Sequence, residues 1–218
     1  GTKLLTLTPD NPERGLPVIQ GVYVLFGDPG TPGQAPRAVL DGVELTGLRT
    51  SAVSALGVRL LADASPRHLV VFGTGVQAWE HALTFQDVFG LERVSVVGRD
   101  AGRAAALAAR IEAGLGVTAS AAGPEAVAGA DVVVTCTAAT APLFDGTLVP
   151  EHATVVAMGS HTTDARETDD ALARRATVAV ESRDSAAREA GDVTLAIDSG
   201  ALAGIEDTVT LAELVAGT

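Results

Sequence analysis

The chain has 218 residues, 47% of them hydrophobic and 19% charged, so it fits one large or two small globular domains with a substantial core and is not a disordered chain. Aromatics make up only 3%, and the core must therefore be built mostly from Ala, Val and Leu. A formal net charge of −12 argues against nucleic acid or an anionic membrane as the main partner, while leaving small anions open to a locally positive site.

The first 63 residues read differently from the rest. KLLTLT and VIQGVYVLF have the composition of strands, separated by PDNPERGLP, whose Pro, Asn and Gly favour turns. GDPGTPGQAP is a second loop with the character of a hairpin connection, and AVLDG a further strand. From Thr46 the pattern turns helical, with Leu48, Val53, Leu56, Leu60 and Leu61 near one stripe, until Ser65-Pro66 ends it.

Beyond that point strand and helix alternate. Residues 68–72 read as strand, 76–88 as helix, 94–97 as strand and 101–113 as helix. A short VTASA strand, a short helix around 124–128 and the apolar run DVVVTCT come next. ATVVAMG and ATVAVE are two more strands, DSAAREAG is a helix, and LAELVAGT closes on a helical pattern. Continuous Val-rich runs alternating with helices indicate a parallel sheet covered on both faces. The expected fold is α/β, a doubly wound Rossmann-type parallel sheet with part of a smaller α+β domain in front. Opening at Gly1 without an initiator Met and stopping just after a helical pattern, the chain reads as incomplete or partly disordered at its ends.

At the end of the first strand of the alternating part stands Gly73-Thr74-Gly75-Val76-Gln77-Ala78, of the form G-x-G-x-x-A. Alone the pattern is weak, but a strand precedes it and a helix follows, as dinucleotide binding requires. Gly73 permits a tight turn, Gly75 lets main chain approach a pyrophosphate, and Ala78 lets the helix pack close to the sheet. Amides at the helix start then hold the phosphate oxygens. At the end of the next strand, VSVVGRD, Gly98 stands where a ribose-binding carboxylate is expected, followed by Arg99 and Asp100. An arginine there suits a 2′-phosphate and favours NADP(H), with NAD(H) as the alternative if Asp100 serves the hydroxyl. Two later strand ends, Thr135-Cys136-Thr137 and Met158-Gly159-Ser160, should reach the same crevice and line a nicotinamide pocket.

Several stretches together resemble the ornithine cyclodeaminase/mu-crystallin family: GTKLLTLTPDNPERGLP, LTGLRTSAVSAL, FGTGVQA, GADVVVTCTAATAPLF, and VVAMGS with Glu167 following. The resemblance runs through essentially the whole chain in order. It implies a two-domain homodimer, with residues 1–63 part of a substrate-binding and dimerisation domain, 64–200 the Rossmann domain, and 201–218 a segment returning toward the first domain. It further implies that Lys3 and Arg49 hold a substrate carboxylate, a guanidinium being able to grip one through two parallel hydrogen bonds. Cyclodeaminases of the family, like its archaeal alanine dehydrogenases, carry an aspartate shortly after the strand that here ends VVAMGS. His161 occupies that place, and Asp164 does not align. Members without the aspartate look like imine reductases, so the resemblance implies reduction of a cyclic imino acid. The alternatives are an NAD-dependent ornithine cyclodeaminase and a non-catalytic, NADPH-binding crystallin-like protein. His161 is a candidate proton donor, its ordinary alternative being a solvated loop histidine.

Other chemistry finds little support. The lone Cys136 excludes an internal disulfide and a multi-cysteine metal site, and reads as a buried inert thiol. His68, His81 and His152 lack metal-ligand spacing, so no metal is expected. No G-x-S-x-G nucleophile motif appears. No apolar run approaches the roughly 18–20 residues of a membrane helix and no signal peptide opens the chain, so the expected location is cytoplasmic.

Overall fold

A computed structural model describes residues 1–8, 10–28, 30 and 34–217, the side chains of residues 12 and 13 apart. Part of the two loops expected from PDNPERGLP and GDPGTPGQAP, namely residues 9, 29 and 31–33, lies outside the described residues, as does residue 218. The chain divides into two compact units, Gly1–Thr50 and Ser51–Thr218.

In the first unit, β1 (Thr2–Leu7), β2 (Ile19–Phe26) and β3 (Pro36–Asp41) form an antiparallel sheet in that order. Lys3 pairs with Tyr23 and Val22 with Asp41. The helix expected from Thr46 begins earlier, as α1 (Gly42–Leu61). Asp41 explains the difference: its Oδ1 accepts from the amides of Val43 at 2.7 Å and Glu44 at 3.1 Å. A strand-ending aspartate thus doubles as the cap that starts the helix. Leu4, Leu5, Leu7 and Val39 remain exposed on this sheet.

The second unit takes α1 from Ser51 onward and continues through β4 (His68–Phe72), α2 (Val76–Phe89), β5 (Arg93–Val97), α3 (Ala101–Leu115) and β6 (Thr118–Ala122). A 3₁₀ turn, Pro124–Gly129, leads to β7 (Val132–Thr135), and β8 (Thr154–Ala157) follows. These strands make one parallel five-stranded sheet in the order β6-β5-β4-β7-β8. That is the doubly wound Rossmann arrangement, in which the chain winds one way from β4 and then reverses to fill the other side.

The alternation of side chains along β4 feeds two cores. Leu69 and Val71 face a cluster with Phe85 of α2 and Ile111 of α3, whereas Val70 and Phe72 face Val127, Val133 and Phe144 on the other side. With both faces covered, every residue of β4 is buried, which is why the strand reads as an unbroken apolar run. Polar contacts fasten α1 to α2 within this unit: Ser51 Oγ lies 2.7 Å from Thr84 Oγ1 and Ser54 Oγ 2.9 Å from His81 Nε2.

The chain ends with α4 (Asp170–Ala173), β9 (Ala179–Val180), α5 (Arg183–Glu189), α6 (Gly191–Asp198), β10 (Val209–Thr210) and α7 (Leu211–Ala216). ATVAVE, expected as a further strand of the main sheet, contributes only the two residues of β9. That strand pairs with β10 in a separate two-stranded sheet. A capping box between Thr210 and Glu213 opens α7, and Arg183 holds Glu213 at 3.0 Å.

Candidate coenzyme and substrate site

The sheet reverses direction at β4, and its neighbour β7 belongs to the second winding. Chains leaving the C-terminal ends of these strands part in opposite directions and open a crevice between them. The glycine turn sits at its head. Gly73 adopts φ +118°, and a Cβ there would stand 2.6 Å from the carbonyl oxygen of Cys136, so both conformation and proximity demand glycine. Its amide continues the ladder, donating to Val97 O at 2.9 Å.

Helix α2 then starts with an unusual terminus. Its cap is Gly75, no side chain caps it, and no acidic residue lies in its first turn. By contrast, Asp100 caps α3 and accepts from the Arg103 amide at 3.0 Å. The amides of the first turn of α2 therefore lack any intrahelical acceptor while the helix dipole places positive potential there. A Cβ on Gly75 would meet nothing within 4 Å, and Ala78 is fully buried against the sheet. Thr74 is half-buried and Val76 exposed. Gln77 carries a buried Oε1 without a hydrogen-bond partner among the described residues. Open space and unpartnered amide donors together fit a dinucleotide diphosphate.

At the end of β5, a Cβ on Gly98 would come within 2.8 Å of Thr74 Cγ2. The glycine thus leaves room for the turn itself, which accounts for the missing carboxylate. Arg99 is exposed beside it. Asp100, with its Oδ1 committed to capping α3, is the less available of the pair.

The ends of β7 and β8 converge on one residue. Glu167 is completely buried, and its Oε2 accepts from Thr135 Oγ1 and from the Gly159 amide, both at 2.7 Å. Its Oε1 accepts from the Thr137 amide at 2.9 Å and from Thr137 Oγ1 at 2.5 Å. Thr135 is fully buried, Thr137 and Met158 half-buried. No spacing rule points Glu167 inward; only the fold brings it under two strand ends. Cys136 lies between the two threonines, and burial, reinforced by the charge of Glu167, pushes its thiol pKa well up. It is an inert thiol.

The loop after β8 is anchored by Ser160, whose Oγ donates to Ala165 O at 2.5 Å, and by Thr194 Oγ1, which donates to Thr163 O at 3.1 Å. His161 is exposed, its Nδ1 3.2 Å from Gly159 O. In the first unit, the Lys3 ammonium donates to Thr46 Oγ1 on α1. Arg49, exposed on the same helix, lies three residues on from Thr46 and so on the same face. Among the described residues no group of three His, Cys, Asp or Glu side chains could hold a metal ion, and no helix is long and apolar enough to cross a membrane.

Comparison with known proteins adds to this picture. The model of the ornithine cyclodeaminase/mu-crystallin family matches residues 1–218. The ketimine reductase mu-crystallin of Mus musculus is 37% identical over 89% of this chain and 60% of its own length. Delta(1)-pyrroline-2-carboxylate reductase 2 of Burkholderia ambifaria is 36% identical over 95% of this chain and 66% of its own. Among solved structures, the Delta(1)-pyrroline-2-carboxylate reductase of Thermococcus litoralis, in complex with NADH and L-proline, superposes with a TM-score of 0.87. It is 28% identical, over 99% of this chain and 66% of that one. The chain therefore spans about three-fifths to two-thirds of the length of these relatives.

Proposed function

The chain belongs to the ornithine cyclodeaminase/mu-crystallin family, and from that footing we propose that it reduces a cyclic imino acid with a nicotinamide coenzyme. The substrate is Δ1-pyrroline-2-carboxylate or Δ1-piperideine-2-carboxylate, and the product proline or pipecolate. One observation carries this reading: the uncapped start of α2, with open space at Gly75, at the point where the sheet reverses. The names of the relatives, ketimine and pyrroline-carboxylate reductases, supply the substrate class.

In this assignment residues Gly73, Thr74, Gly75, Val76 and Gln77 take the diphosphate. Arg99 takes a 2′-phosphate, making NADP(H) the preferred coenzyme over NAD(H). Thr135 and Thr137, with Met158, Gly159 and Ser160, form the strand ends beneath the nicotinamide half. When bound, the coenzyme supplies the hydride that the imine carbon accepts. Arg49 and Lys3 hold the substrate carboxylate, the first through a two-pronged grip and the second as a point charge. Fixing the carboxylate orients the C=N bond, and such positioning can supply several kcal/mol of a barrier. His161 holds a proton for the imine nitrogen, so that C–H and N–H form as the C=N double bond becomes single.

Residues 1–63 form part of the substrate-binding and dimerisation domain, residues 64–200 the coenzyme domain, and residues 201–218 a returning segment. Exposed Leu4, Leu5, Leu7 and Val39 support a homodimer, and the acidic composition speaks against a nucleic-acid or anionic-membrane partner.

The test is coenzyme oxidation by the intact protein against a panel of cyclic ketimines, with NADPH and NADH in parallel. One NADPH consumed per imine is the expected result. Ammonia release from ornithine with no net change in coenzyme absorbance would identify a cyclodeaminase instead. Tight NADPH binding without turnover on any imine would identify a binding protein.

A further inference from the structure

We infer that Glu167 is a positioning residue for the coenzyme, its buried carboxylate locking the ends of β7 and β8 into the shape that receives the nicotinamide half. The inference rests on the reading of the crevice as a dinucleotide site. Glu167 has no exposed surface, and among the described residues no Lys, Arg or His forms an ion pair with it. A buried carboxylate without a counter-ion is costly and persists only when its oxygens are fully hydrogen-bonded. Here they are: Thr135 Oγ1 and the Gly159 amide donate to one oxygen, the Thr137 amide and hydroxyl to the other.

These donors come from two strand ends and from no other part of the sheet. Thr135 ends β7, Thr137 lies just beyond it and Gly159 follows β8, so the carboxylate ties the segment on the β7 side of the crevice to its outer neighbour. The tie has its own foundation. The Glu167 amide donates to Asp192 Oδ1 at 3.0 Å, as do the Thr168 amide at 2.7 Å and hydroxyl at 2.6 Å. Leu143 N donates to Glu167 O at 2.9 Å. The fit is close on the other side as well, since a Cβ on Gly159 would stand 2.7 Å from Glu167 Cδ. A residue needed only to fill this space would be apolar. One that draws in four donors fixes the direction of the main chain on the crevice side.

Glu167→Gln tests this because it keeps the shape while turning one acceptor into a donor. Its NH₂ must then face either the Thr137 pair or the Thr135 and Gly159 pair, N–H against N–H. Direct NADPH titration of the intact variant should show an affinity loss of about tenfold or more, the size expected when a charged hydrogen-bond set is broken. KM for NADPH should rise while KM for the imine stays within about twofold. A core variant far from the crevice, Ile111→Ala, serves as the control: it should lower Tm at least as much and leave NADPH affinity unchanged. Thr137→Val and Thr137→Ser give an independent arm, the first weakening NADPH and the second, which retains the hydroxyl, restoring it; if Glu167→Gln fails to fold, this pair decides. Wild-type affinity in Glu167→Gln or in Thr137→Val, at a temperature where it is folded, overturns the inference alone. Wild-type protein that binds neither NADPH nor NADH overturns the dinucleotide reading and this inference with it.

Discussion

The carbonyl oxygen of Cys136 lies 2.6 Å from the place where a Cβ on Gly73 would stand, so the end of β7 closes one side of the glycine turn. Gly73→Ala meets that carbonyl and also the strain of φ +118°. The strain alone costs about 1–3 kcal/mol. The variant should lose several degrees of Tm and its coenzyme affinity together, as calorimetry and titration would show.

Gly75 makes the opposite prediction. It is the bare cap of α2, and nothing lies within 4 Å of its Cβ position. Gly75→Asp supplies the missing cap and a favourable charge at the dipole, worth about a few tenths of a kcal/mol over glycine. It also places a carboxylate where the diphosphate is proposed to bind. Tm should hold or rise while NADPH affinity falls about tenfold or more, the loss expected from about 1.4 kcal/mol of repulsion. Unchanged affinity would mean that no phosphate rests there.

Arg99→Ala should separate the two coenzymes. If its guanidinium holds the 2′-phosphate, NADPH affinity drops by about tenfold, the value of one charge-assisted contact. NADH affinity should stay within a factor of two, and equal losses for both would take Arg99 out of that role.

Arg49→Ala should raise the imine KM by about tenfold or more through loss of the carboxylate grip. The NADPH Kd should be unaltered. An unchanged imine KM would remove Arg49 from the substrate site.

Stability should depend on pH through two buried imidazoles. Burial lowers the pKa of His81 and of His68 from 6.5. The unfolded chain therefore takes up protons near 6.5 that the folded chain resists, and stability falls as pH drops through that value. The Gln77 carbonyl, 2.7 Å from Nδ1, makes that nitrogen the donor, and Nε2 accepts from Ser54 at 2.9 Å. His81→Gln removes one titrating group, so its Tm deficit relative to wild type should shrink as the pH is lowered from about 8 to about 5. A constant deficit would show that His81 does not titrate with unfolding.

The alternating strands and helices of the second unit were legible because its central strands are continuous apolar runs such as HLVVF, and α2 and α3 each end on a glycine, Gly90 and Gly116. The glycine turn was legible because its chemistry is local. The start of α1 was not, since Asp41 ends a strand and caps a helix at once. The fate of ATVAVE was not, because β9 finds its partner β10 some thirty residues later, at Val209. Glu167 stood out only as part of the family resemblance, with no role attached. Its partners lie at positions 135, 137 and 159, and only the parallel pairing of β7 with β8 brings them together.

The account depends most on where the diphosphate lies, and a crystal structure of the intact protein with NADPH reads that directly. Phosphate oxygens within hydrogen-bond reach of the amides of residues 74–77 are the predicted result. A nucleotide bound anywhere else, with those amides in contact only with solvent, would contradict it.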